Sequence, residues 1–165
     1  MCSLLKKGFI FFFCLGFSIS PAFAAIQTTS MLISVNVMPD CIITATPLVF
    51  GLYNPNAVTS TKSISRLKVL CTLNTPYNIA IDQGAGDSAT TRLRMMSGPG
   101  AKAIQYTLSQ NPTHTINWGN TVGVDTVGGN GRGVPQYIIV YGEIPAKQNV
   151  TPGAYRDVVN VSIIF

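Results

Sequence analysis

Charge is scarce in this sequence: Asp, Glu, Lys and Arg supply 10% of 165 residues, while hydrophobic residues supply 47%. Disordered chains and bundles of amphipathic helices are normally far richer in charge, so both classes are disfavoured. No stretch sustains a helical apolar period, and no run of basic residues is interleaved with aromatics as a nucleic-acid groove would require. What the sequence does contain is 15 Gly and 10 Pro punctuating short apolar runs, the pattern of a single all-β domain.

The first two dozen residues read as an address. Lys6 and Lys7 form a basic start, residues 8–19 are apolar but too short to span a bilayer, and Ala22-Phe23-Ala24 supplies the small residues of a cleavage site. Residues 1–24 are therefore expected to be a signal peptide, and Cys2 and Cys14 to leave with it. Removing Lys6 and Lys7 from the 11 basic residues leaves nine against six acidic ones, a net charge of +3.

Two cysteines remain, Cys41 and Cys71, in a chain addressed to an oxidising compartment. A disulfide is expected, since two thiols and the lone His114 fall short of a zinc ligand set. Closing a loop of about thirty residues stabilises by roughly 3 to 4 kcal/mol in the chain-entropy account.

Along the mature chain, residues 31–37 alternate Met31, Ile33, Val35 and Val37 with mostly polar neighbours, the period of a strand with one apolar face. Short strands are expected over residues 42–46 and 48–50, split by Pro47. Leu67, Val69 and Cys71 share a face, with Arg66, Lys68 and Leu70 opposite. Further strands are read over residues 77–82, 92–96, 103–109, 134–143 and 155–165, with residues 111–132 mostly loop. The scattered cations Lys62, Arg66, Lys68, Arg92 and Arg94 are read as solvated strand faces.

Seven or so short strands point to an immunoglobulin-like β-sandwich. Tyr155 followed by Val159, Val161, Ile163 and Phe165 reads as a corner tyrosine leading into a buried strand. One further strand would complete such a sandwich, and the sequence ends before it. The expectation is an incomplete sandwich whose apolar groove is filled by another segment, residues 31–37 being the candidate. That segment folding back into its own domain is the competing arrangement.

The pieces Pro47-Leu48-Val49-Phe50-Gly51-Leu52-Tyr53, Leu67-Lys68-Val69-Leu70-Cys71-Thr72, Pro76 through Gly84, Trp118-Gly119, Val140-Tyr141-Gly142-Glu143-Ile144-Pro145 and Pro152-Gly153-Ala154-Tyr155 resemble, in order, the spore coat protein U domain family. That domain also forms the subunits of archaic chaperone-usher pili. The resemblance implies donor-strand exchange between subunits, with a periplasmic chaperone, an outer-membrane usher and other pilus subunits as partners. It also implies a cell-surface fimbrium serving adhesion and biofilm formation. Its domain plan is a donor segment over residues 25–38 and a pilin domain over residues 39–165. Met31, Ile33, Val35 and Val37 would be the donor residues, and Tyr155, Val159, Val161, Ile163 and Phe165 would belong to the acceptor groove and last strand. Lys147 departs from the pattern, standing where a turn glycine is expected.

Chemistry is weakly signalled. His114, Asp82, Asp87, Asp125 and several serines could in principle form a triad, yet no serine sits in a nucleophile elbow, and His114 reads as a solvated loop residue. Gly84-Ala85-Gly86 and Gly128-Gly129-Asn130-Gly131 open no helix and read as flexible loops. Trp118 could stack on a sugar, but a lone tryptophan in a β domain more often packs inside. No catalytic, cofactor-binding or metal-ligating residue is assigned. The alternative to a pilus subunit is a secreted monomeric sandwich that binds carbohydrate or forms part of a spore coat.

Overall fold

The computed structural model describes residues 23–165 except residue 101, so most of the expected leader lies outside the described residues. Two compact units divide between Asn36 and Val37. In the first, residues 23–36 form no strand.

The second unit is all-β among the described residues. Its strands are β1 (Cys41–Ala45), β2 (Thr61–Cys71), β3 (Pro76–Ile81), β4 (Arg94–Met96), β5 (Ile104–Ser109), β6 (Val127–Asn130), β7 (Gln136–Ile144) and β8 (Val161–Ile164). They make a five-stranded sheet in the order β1-β2-β7-β5-β4 and a three-stranded sheet in the order β6-β3-β8, every pairing antiparallel.

The alternation in β2 shows why the sequence folds this way. Ser65, Leu67, Val69 and Cys71 point inward and are buried, while Lys62, Ile64, Arg66 and Lys68 point outward. Inner-face residues of β3, β5 and β7, among them Ile79, Ile81, Ile104, Leu108, Val140 and Ile144, meet them in one core. Each such side chain contributes roughly 1.5 to 3 kcal/mol of burial. The result is an immunoglobulin-like β-sandwich.

Trp118 is fully buried in that core, its indole Nε1 donating to the Ile79 carbonyl at 2.9 Å, so it offers no platform to a sugar. Cys41 and Cys71 are bridged and are direct partners across the β1–β2 ladder. The bridge therefore ties an edge strand to its neighbour.

Several expectations need correction. Arg94 does not lie on a solvated face: it is fully buried, and its guanidinium donates to the carbonyls of Asp82 (2.7 Å), Thr91 (2.7 Å), Ile81 (3.0 Å) and Trp118 (2.8 Å). Burial draws its pKa down from the ordinary arginine value, opposed by Tyr106, Asp82, Asp157 and Asp125 nearby. Five N–H groups in a rigid fork serve these carbonyls where an apolar residue could not.

Gly128-Gly129-Asn130 is strand rather than flexible loop, forming most of β6. Glycine disfavours strands on entropic grounds, but a Cβ on Gly129 would lie 2.5 Å from the Tyr77 ring, so the missing side chain is the space that the ring occupies. His114 is not solvated either. Asn111 Oδ1 accepts from the amides of Thr115 (3.1 Å) and Ile116 (3.0 Å), and this turn folds the imidazole edge-on against Tyr141 of β7, leaving it 5% exposed.

The single strand expected over residues 155–165 is broken. Arg156 bridges Ser97 beside β4, whereas β8 pairs with β3 in the other sheet. Asn160 is held at the crossing by Asp82, which accepts from its amide (2.9 Å) and its side-chain nitrogen (2.6 Å). Residues 48–50 and 31–37 also form no strand, because a strand needs a ladder partner and these have none.

A candidate strand-binding groove

β1 is an edge strand, and the chain leaving it builds one wall of a groove. Thr46 continues the pairing briefly, its amide donating to the Arg66 carbonyl at 3.0 Å and its Oγ1 accepting from the Arg66 amide at 3.0 Å. Pro47 then ends the ladder, having no amide hydrogen to contribute. Beyond it the alternation persists without partners: Leu48 and Phe50 turn inward while Val49 and Leu52 are exposed.

Gly142 makes this inward packing possible. A Cβ there would stand 2.8 Å from Leu48 Cδ1 and 2.9 Å from Phe50 Cζ, so β7 leaves a shallow seat for both side chains. Phe50 packs edge-on to Tyr106 at 6.1 Å between centroids. The wall is pinned at its far end by Tyr53, whose hydroxyl donates to the Pro145 carbonyl (2.9 Å) and accepts from the Gln148 amide (2.8 Å).

The opposite wall is the chain leading into β8. Tyr155, Val159 and Val161 are half-buried and alternate with exposed Arg156, Val158 and Asn160. The Tyr155 hydroxyl donates to the Thr151 carbonyl at 2.8 Å, the corner arrangement expected of it. Among the described residues, the stretch between Lys147 and Val161 makes cross-chain backbone bonds only at Ser97–Arg156 and Asp82–Asn160.

Two carboxylates hold this second wall. Asp157 accepts from the Tyr106 hydroxyl (2.6 Å) and the Ala85 amide (2.8 Å), and Asp82 accepts from Asn160 and from the Gly84 amide (2.9 Å). Burial and the Asp157 hydrogen bond push the Tyr106 phenol far above its ordinary range, so it stays a donor. Burial works to raise the Asp82 carboxyl, but the bonds from Asn160 and Gly84 and the charge of Arg94 hold it below the usual value.

Between the walls lies an apolar groove of about 1120 Å³, floored by Leu67, Ile81, Ile104, Leu108, Val140 and Ile144. Of the residues assigned to it from sequence, Tyr155, Val159 and Val161 line it. Ile163 packs on the core, and Phe165 is 54% exposed. Sequence reading missed Leu48, Phe50, Tyr53 and Val150 as lining residues; the alternation of Leu48 and Phe50 around Val49 was the available signal.

Residues 31–37 are placed in the other unit up to Asn36. Met31, Ile33, Val35 and Val37 are 79 to 84% exposed and form no strand. Leu32 and Met38 beside them are exposed as well, so the segment leaves a run of apolar side chains uncovered.

The triad candidates do not converge. His114 Nδ1 lies 3.7 Å from Glu143 Oε2 rather than beside a serine, and Asp125 binds the Thr121 amide (2.8 Å) and Asn117 (3.2 Å) within its own loop. Among the described residues, no group of three or more His, Cys, Asp or Glu could hold a metal ion.

Fold and groove define an immunoglobulin-like sandwich with one apolar flank open. Residues 27–162 match the Spore Coat Protein U domain family. Protein U of Myxococcus xanthus is 35% identical over 160 residues, covering 88% of this chain and 89% of that protein. The chain belongs to the Spore Coat Protein U domain family.

The fold resembles a chain in the crystal structure of CsuC–CsuE, a chaperone–tip adhesion subunit pre-assembly complex from the archaic chaperone-usher Csu pili of Acinetobacter baumannii. The TM-score is 0.58 at 22% identity, covering 78% of this chain and 40% of that one. At that identity the likeness is one of fold.

Proposed function

We propose that this chain is a structural subunit of a surface pilus of the chaperone-usher type and that it polymerises by accepting a strand from another copy. The observation that carries the reading is the open groove: an apolar channel with two walls that lack a common partner strand. A segment of alternating aliphatics supplies one face of side chains and a backbone able to pair with both walls, which is the physics of strand addition. In this reading residues 25–38 are the donor segment and residues 39–165 the acceptor domain, after removal of a signal peptide over residues 1–24.

The same groove makes demands before assembly. An open apolar channel with unpaired edges aggregates unless covered, so a periplasmic chaperone lending a strand and an outer-membrane usher exchanging it are the partners proposed. Adhesion and biofilm formation are the roles proposed for the fibre. That the complex resembling this fold contains a chaperone and a pilus subunit supports the reading.

Side chains at Met31, Ile33, Val35 and Val37 would enter the groove, and Leu32, Ser34, Asn36 and Met38 would face away. An unpaired carboxylate in such a site costs more than the roughly 1.5 to 3 kcal/mol gained by burying an aliphatic group. Val35→Asp is therefore expected to abolish heat-resistant ladders on unboiled gels of surface fibres, and Asn36→Asp to leave them intact. Ladders surviving Val35→Asp would reject the donor assignment. A soluble monomer formed without a chaperone after deletion of residues 25–38 would reject the need for a strand.

A further inference from the structure

The outward face of the five-stranded sheet brings together residues that are separated in sequence. In an antiparallel ladder directly paired residues share a face, and the register pairs Lys68 with Tyr137, Arg66 with Ile139, Ile64 with Tyr141 and Lys62 with Glu143. Lys62, Ile64, Arg66, Lys68 and Tyr137 are all exposed, Ile64 and Tyr137 each to 60%. The three cations stand along β2 over roughly 20 Å at strand spacing.

We propose that this face binds an anionic polysaccharide, one carrying carboxylate or sulfate groups at intervals along its chain. Charge is the first argument: three cations are met by one carboxylate, Glu143, which already lies 3.9 Å from Lys62 and 3.7 Å from His114. The excess is positive, and a partner that complements it carries repeated negative groups.

Shape is the second. The His114 turn covers Tyr141 at one side, but along Lys62 to Lys68 and Tyr137 the face is open sheet rather than a pocket, so it suits a polymer laid along β2 rather than an enclosed small molecule. The apolar groups between the cations offer contact to the C–H faces of sugar rings.

The aromatic geometry argues against the other common polyanion. Nucleic-acid strands gain affinity by stacking bases on open aromatic faces. Here the Arg66 guanidinium sits over the Tyr137 ring at 5.6 Å from its centroid, so that face is already taken. A polymer that needs cations and apolar edges but no ring face fits better. The proposal stands apart from strand exchange, because this face lies on the opposite side of the sheet from the groove's floor residues Leu67, Val140 and Ile144.

The experiment is binding of the full chain to alginate, a polyuronate, across a salt series, with neutral dextran and a single-stranded oligonucleotide as comparison ligands. Replacing Lys62, Arg66 and Lys68 together by Gln should weaken alginate binding at least tenfold and reduce the log–log salt slope by about two to three. The loop triple Arg92→Gln, Lys102→Gln and Arg132→Gln removes the same charge from other exposed positions and should change affinity less than about twofold. Tyr137→Ala should weaken binding about threefold with the slope unchanged, since contact with the ring's apolar edge releases no counterions. Equal losses from the two triples, equal binding of dextran, tighter binding of the oligonucleotide, or full affinity in Tyr137→Ala would each overturn the proposal.

Discussion

The two flanks of the sandwich both gather apolar side chains and are differently finished. On the flank around Trp118, the two largest buried side chains have partners: the indole is bonded to Ile79, and Arg94 joins the end of β3 and the approach to β4 to the segment at Trp118 through four carbonyls. On the flank between Leu48 and Val159, apolar side chains converge as well, but the backbones that carry them have no shared ladder. Apolar clustering therefore does not by itself close a β domain. Closure requires that the backbone polar groups behind the side chains be paired too, and across the groove the two walls do not pair with each other.

The closed flank should be the most sensitive to mutation. Arg94→Met is expected to cost about 3 to 6 kcal/mol, because two buried carbonyls lose their donor at roughly 1 to 3 kcal/mol each and two part-buried ones lose theirs as well. Val49→Ser on the groove wall, where the side chain is 70% exposed, should stay within about 0.5 kcal/mol. Denaturant unfolding of the two variants measures the contrast, and comparable losses would erase it.

Next in size is the disulfide. Replacing Cys41 and Cys71 by Ser should lower stability by about 2 to 5 kcal/mol, and because the bridge holds edge strand β1 to β2, the loss should be concentrated in the groove wall. Amide exchange reads this directly: faster exchange in residues 42–46, with β3 and β5 protected as before, is the expected pattern. Uniform acceleration across both flanks would show instead that the bridge supports the whole domain.

The smallest effect is expected at Lys147, where sequence reading called for a turn glycine. The residue adopts φ +60°, a left-handed conformation that costs a side-chain-bearing residue energy and glycine little. Lys147→Gly should stabilise by up to about 1 kcal/mol, the entropy of the unfolded glycine offsetting part of the relief. A rise in the unfolding midpoint checks it, and a fall would place the turn under some other constraint.

The sandwich class was legible because strands with one buried face announce themselves by alternation, as β2, β3, β5 and β7 do. The groove's second wall was legible in part for the same reason: Tyr155, Val159 and Val161 alternate and line it. The first wall was less so. Leu48 and Phe50 alternate like strand residues, yet Pro47 takes away the ladder, and only the seat above Gly142 shows what they pack on.

By itself the sequence determined which residues face inward along β2, β3 and β7, and that Cys41 and Cys71 had one another as the available partner. These follow from strand period and cysteine count, both local properties, whereas the turn glycine expected at Lys147 came from the family resemblance. Only the tertiary structure decided that Arg94 is a buried hub rather than a surface charge, that glycines 128 and 129 form an edge strand under Tyr77, and that His114 folds onto β7. It also decided that the chain crosses from one sheet to the other before β8. Each of these depends on groups distant in sequence coming within hydrogen-bond or van der Waals range, and no local pattern encodes which distant carbonyl, ring or carboxylate will be there.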